Sequence, residues 1–139
     1  MIALLKTLRM DTAVRISDSQ WDACIKLGTN MELKNNQGVV DALIEALEPN
    51  NLTKAHAAEA FGTFGNIGDD RVVEKLIVSL KDPYRLVRSY SARALGKQNN
   101  EKAIPDLIER LKIDDFFGVR AEAAEVIANP QNARKQGKN

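Results

Sequence analysis

An all-α fold, a right-handed α-solenoid (an alpha-alpha superhelix) of about four stacked helix pairs, is predicted by three observations on the sequence. A glycine recurs at one period, as Gly28, Gly62 and Gly96, and its neighbours recur with it. One residue before each glycine stand Leu27, Phe61 and Leu95; four before stand Cys24, Ala58 and Ala92, all small. Between these segments a second pattern repeats: "VVDALIEAL" (39–47), "VVEKLIVSL" (72–80) and "AIPDLIERL" (103–111) place apolar residues at positions 1, 2, 5, 6 and 9. That spacing is one face of a helix. No stretch shows the apolar-polar alternation of a half-buried strand.

The elements follow in order. Outer helices are predicted over 1–11, 37–48, 70–81 and 101–112, and inner helices over 18–28, 52–64, 84–97 and 116–128. The repeats are then approximately 1–28, 37–64, 70–97 and 101–128, forming one domain, with 129–139 as a polar tail. Turn residues separate the segments: Asn35 to Gly38, Pro49 to Asn51, Gly65 to Asp70, Asp82-Pro83, Asn99-Asn100 and Asp114-Asp115. Asp, Asn and Ser at helix starts satisfy free backbone N–H groups, so Asp82 with Pro83 is expected to open the helix that follows. Pro83 and Pro105 suit a first turn, where no N–H is missed. Gly28, Gly62 and Gly96 suit a left-handed residue just past a helix end. One pair cannot bury its apolar stripe alone; stacked pairs share a continuous core.

Composition narrows the function. Aromatics make up only 5% of the chain, so the core must be built from Leu, Ile, Val and Ala. Twenty basic residues against nineteen acidic ones leave a net charge of +1, which supplies no global field for nucleic acid. A single cysteine, Cys24, cannot form an internal disulfide and fits a reducing compartment. The first ten residues, "MIALLKTLRM", are too short and too charged for a signal sequence or a membrane span, so a cytoplasmic location is expected.

The stretch "DPYRLVRSYSARALG" (82–96) followed by "NNEKAIPDLIERLKIDD" (99–115) resembles a HEAT repeat of the type found in phycobilin lyases. The resemblance is close over 82–115, good over 52–83 and 116–128, and weak over 1–36. It implies that the inner helix of each pair lines a concave face. It also implies that the Arg after Val ties its repeat to an Asp near a neighbouring inter-helix turn. Arg88 and Arg120 would be those arginines, with Asp82 and Asp114 as their carboxylates. Arg suits the role because its planar fork satisfies a carboxylate and loop carbonyls together. Lys54 and Gln20 hold the same position in the earlier repeats, so the ladder is expected to weaken toward the N-terminus.

Catalytic signatures are sparse. His56 is the only histidine, and one His with one Cys does not make a zinc site. The chain lacks the paired His-Glu motifs of the HEAT proteins that act as di-iron hydroxylases. Cys24 and His56 fall on adjacent inner helices, but Cys24 occupies the small buried position of Ala58 and Ala92. Gly62, Gly65 and Gly68 do not form a phosphate loop, because they follow a helix rather than a strand. No catalytic residue, metal or resident cofactor is assigned.

The concave face offers more. Six residues before each glycine position stand Asp22, His56, Tyr90 and Glu122; three before stand Ile25, Glu59, Arg93 and Glu125. These offsets share one helical side. With Trp21, Arg85 and Ser89 they form a non-repeating surface rich in the residue types that anchor interfaces. Trp21 fits the core equally well. Phe116-Phe117 is expected to cover the open end of the core or to contact a partner. The expected function is a non-catalytic interaction and scaffold module that binds another protein on this face. The alternative implied by the resemblance is a phycobilin lyase-like or phycobilisome-associated chaperone, with Arg85 and Arg93 on bilin propionates and Tyr90 and Trp21 stacked on pyrroles. A nucleic-acid contact would want a clearly basic row, and this one is mixed. An open solenoid end at 1–10 permits a hetero- or homo-dimer.

Overall fold

The computed structural model describes residue 26 and residues 30–48 and 53–129. The described residues are helical, with no strand among them. Six helices appear in order: α1 (Gln37–Ala46), α2 (Lys54–Phe64), α3 (Asp70–Ser79), α4 (Arg85–Gln98), α5 (Ile104–Ile113) and α6 (Phe117–Ala128). Short 3-10 turns cover Met31–Leu33 and Glu101–Ala103, the second leading into α5. The predicted helices over 1–11 and 18–28 and the tail beyond Asn129 lie outside the described residues.

The helices stack as an α-solenoid. The inner helices α2, α4 and α6 pack in sequence, α3 and α5 pack on the inner helices of their own pairs, and α1 touches α2 and α3. The repeated apolar stripe explains this layer. Val39, Val40, Leu43, Ile44 and Leu47 are buried, as are Val72, Val73, Leu76 and Leu80 in the next repeat. The inner helices contribute small residues instead, Ala57, Ala58, Ala60, Ala92, Ala94 and Ala123, with Phe61, Phe64 and Leu95 filling the space between. Small side chains let the inner helices approach closely.

Helix ends follow a division of labour. Outer helices are capped by side chains: Asn36 accepts from the Val39 N–H at 3.1 Å, and Asp69 from the Arg71 N–H at 2.9 Å. Asn100 accepts from the Lys102 N–H at 2.9 Å, and Pro105 sits in the first turn of α5. The inner helices begin without a side-chain cap. Asp82 does not open α4 as its cap, because Tyr84 occupies the N-cap position. Asp82 accepts the Tyr84 N–H at 2.9 Å and so shapes the turn before the helix; Asp114 accepts the Phe116 N–H at 3.0 Å in the same way.

Two glycines differ from expectation. Gly62 and Gly96 lie within α2 and α4 rather than past their ends. The left-handed stop after α4 is Asn99, at φ 53°, and the stop after α2 is Gly65, at φ 78°. Gly96 is needed for packing: a Cβ there would stand 2.6 Å from Val126 Cγ2. Gly62 has no such constraint, its nearest neighbour being Ala94 at 3.7 Å. Phe117 also departs from the expected cap on the core. It is 71% exposed, while Phe116 is half-buried with its ring beneath Arg85.

Candidate functional site

Polar contacts cross the repeats on the outer helices, as Arg71–Asp41 and Lys75–Glu48 do, and in two further constellations, one buried and one on the inner-helix face. In the buried one, each cation reaches forward to the turn of the next pair. Lys54 Nζ pairs with Asp82, and both side chains are buried. Arg88 Nε and Nη2 donate to the two Asp114 oxygens at 2.9 and 3.1 Å, and Nη2 also reaches Asp115 at 2.9 Å. The remaining edge of Arg88 donates from Nη1 to the carbonyls of Asp82 and Pro83, at 2.9 and 3.1 Å. A guanidinium can do both jobs at once, which a point charge cannot. Lys54 nevertheless keeps its rung: at 6% exposure it is a full member of the ladder that the sequence led us to expect to be weaker here. Arg120 donates to the Asp114 carbonyl at 2.6 Å.

Asp114 is the most enclosed carboxylate of the ladder, with no side-chain exposure. Burial pushes its carboxyl up. The Arg88 hydrogen bonds, the Phe116 N–H and the charges of Arg88 and Arg110 outweigh that, so it rests below the ordinary value of 3.8. A lowered folded-state pKa contributes stability that is complete above the unfolded value and lost as pH falls through the folded one. Asp114→Asn is therefore expected to lower stability at neutral pH while flattening the decline below about pH 4. Urea midpoints at neutral and acid pH test this. Asp69, held low by its hydrogen bond to Arg71, contributes in the same direction. A variant decline as steep as wild type would remove Asp114 from the acid response.

The second constellation links three inner helices. Tyr90 on α4 stands near Glu59 on α2, and burial followed by the Glu59 charge pushes the phenol up. Arg93 lies over the Tyr90 ring, 5.6 Å from its centroid. Arg93 donates to Glu122 Oε1 on α6 from Nε at 3.2 Å and from Nη2 at 2.6 Å, which holds the guanidinium above its ordinary pKa. The contacts run diagonally: the three-before residue of one repeat meets the six-before residue of the next. Beside them an open groove of about 310 Å³ lies between α4 and α6, edged by Lys97, Glu125 and Asn129.

Other expected site residues fall elsewhere. Ser89 and His56 are half-buried on the same helices. Tyr90 is not fully outward, because its ring packs against the core. Arg85 leaves the row and lies 4.7 Å over the Phe116 ring at the turn edge. Trp21, Asp22 and Ile25 lie outside the described residues. Sequence reasoning missed Gln98. This buried amide donates to the Gly65 carbonyl at 2.8 Å and accepts the Ile67 N–H at 3.2 Å, fastening the loop after α2 to the end of α4. Its polar neighbours Lys97, Asn99 and Asn100 hid it, since local composition there reads as a turn.

A family model for HEAT repeats matches residues 18–128. The chain belongs to the HEAT-repeat family. A search of curated proteins finds no match. HEAT repeats generally mediate interactions between proteins, and the two constellations of this HEAT protein divide accordingly. The ladder of Lys54, Arg88, Asp82 and Asp114 is enclosed between repeats and holds them in register. In the Glu59–Tyr90–Arg93–Glu122 network Arg93 is exposed and the other three are half-buried. Among the described residues, no group of three or more His, Cys, Asp or Glu side chains is placed to hold a metal ion. Among them, too, no helix is long and apolar enough to cross a membrane.

Proposed function

We propose that this HEAT protein is a non-catalytic interaction module that binds a partner protein on its inner-helix face, across α2, α4 and α6. The observation that supports the reading is the fixed network Glu59–Tyr90–Arg93–Glu122 beside the open groove. Tyr and Arg are the side chains that most often anchor interfaces. Here both are held by neighbours before any partner arrives, which lowers the ordering cost of binding. The mixed charges along the groove, Lys97 against Glu125, favour a partner with paired charges over a uniformly acidic one. The single cysteine fits a cytoplasmic setting.

The test is affinity capture from native cell extract with wild type, Tyr90→Phe and Arg93→Glu. Both substitutions are expected to lose the captured partner at least tenfold while the helical circular dichroism stays unchanged. Retention of the partner by both variants would place binding elsewhere.

The resemblance to phycobilin lyases supports a narrower reading, in which Arg85 and Arg93 receive bilin propionates. It fits less well, because Glu122 occupies Arg93 and Arg85 stands apart over Phe116. A bilin whose visible spectrum shifts on mixing would revive it.

A further inference from the structure

The three helix pairs do not end alike. Positions that are interior in the first two pairs are uncovered in the third. Leu47 and Leu80 are 4% and 0% exposed, whereas the matching Leu111 is 36% exposed. Lys54, Ala58 and Phe61 are buried on α2, and Arg88, Ala92 and Leu95 are buried on α4. Their counterparts on α6, Arg120, Ala124 and Ile127, are only half-buried. The far side of α5 and α6 is thus built as an inter-repeat face.

The cation of that face is already oriented. Arg88 Nη1 holds the Asp82 carbonyl, and Arg120 Nη1 holds the Asp114 carbonyl, the same contact one repeat later. In Arg88 the other edge takes the carboxylate of the following turn. In Arg120 that edge makes no hydrogen bond or ion pair among the described residues. Residues 130–139 contain no Asp or Glu side chain.

The two filled rungs specify what fits. Each receiving pair offers an Asp that folds back on the N–H two residues later, at Tyr84 and Phe116. Buried side chains then follow five, nine and twelve residues after the Asp: Val87, Ser91 and Ala94, or Val119, Ala123 and Val126. No Asp within residues 1–30 is followed by such a set, since Asp11 meets Gln20 at the second place, and Asp18 and Asp22 meet Asn30 and Lys34 at the third. Head-to-tail stacking of a second copy therefore lacks the matching turn.

We propose that the α5–α6 end is a stacking site for a partner's helix pair that carries an aspartate at its inter-helix turn, with Arg120 as the receiving cation. Leu111, Ala124 and Ile127 supply the apolar contact, and the carboxylate sets the register, as Asp114 does on Arg88. The site is separate from the inner-helix groove, so either can fail without the other.

The experiment extends the full chain by inserting a second copy of residues 98–129 after Asn129, a junction that reproduces Lys97–Gln98 in register, with Val126 of the inserted copy changed to alanine because Ala128 stands where Gly96 admits Val126. The inserted pair should gain helix and resist hydrogen exchange. Arg120→Gln should reduce the folding equilibrium constant of the extended chain at least tenfold more than that of the original chain, where it removes only the hydrogen bond to the Asp114 carbonyl. An inserted pair that exchanges freely overturns the proposal, because with Val126 trimmed in the copy the α5–α6 end offers it the contacts that the α4 face offers α6. An Arg120→Gln effect of equal size in both chains overturns it as well. Sedimentation of the unextended chain should show a monomer at this end; a dimer dissolved by Leu111→Glu would assign the face to a second copy and overturn the partner reading.

Discussion

Replacing Arg88 with alanine is expected to destabilise the fold by about 3–5 kcal/mol, the cost of leaving one member of a buried ion pair behind. Arg88 is 8% exposed and Asp114 is enclosed, so water cannot replace the lost donors. The substitution also strips the Asp82 and Pro83 carbonyls of their donor. Arg110 stays beside Asp114 at 3.2 Å, which favours the lower end of that range. Arg88→Lys should fall between wild type and alanine. A lysine keeps the charge, as Lys54 does on Asp82, but cannot bridge carboxylate and carbonyls together. Urea denaturation measures all three. With Asp114→Asn already in place, Arg88→Ala should cost less than it does alone, since the two residues form one interaction. A loss below about 1 kcal/mol, the worth of an exposed pair, would mean that the strut holds nothing.

Opposite signs are expected at the two helix glycines. Gly96→Ala should destabilise by about 1–3 kcal/mol, because the new methyl meets Val126 Cγ2 at 2.6 Å. Val126 cannot turn aside cheaply: a β-branched side chain in a helix has one strongly preferred rotamer. Relief would have to come from moving α4 and α6 apart, which opens the core around Leu95 and Ala123. Gly62→Ala adds its methyl at ordinary contact distance from Ala94, within a helix, where alanine is favoured over glycine by about 1 kcal/mol. That variant should therefore unfold at higher urea than wild type. Equal behaviour of the two would show that helix propensity, not the α4–α6 approach, governs both positions. The double substitution Gly96→Ala with Val126→Ala should recover part of the loss.

The repeat was legible because its information is local. A helix advertises its buried stripe in its own spacing, so Val39 to Leu47 and Val72 to Leu80 could be placed on a face without knowing what covers it. The diagonal Glu59–Tyr90 and Arg93–Glu122 contacts were less legible. The offsets placed these residues on one side of their helices, but which one meets which depends on how far neighbouring helices slide. Arg85 was placed with that group by proximity in sequence. Its position at the start of α4 aims it instead at the following turn, where Phe116 waits.

The sequence by itself determined the all-helical solenoid, the stripes of the outer helices, and the two aspartates at the inter-helix turns, because each rests on residues within a few turns of one another. Only the tertiary structure decided that Gly96 is an approach point rather than a helix stop, that Lys54 and Gln98 are buried fasteners, and that Phe117 faces water. The first three outcomes depend on a partner about thirty residues away in sequence: Val126 for Gly96, Asp82 for Lys54 and Gly65 for Gln98. Local patterning states what a side chain needs; the stacking of one helix pair on the next decides whether it receives it.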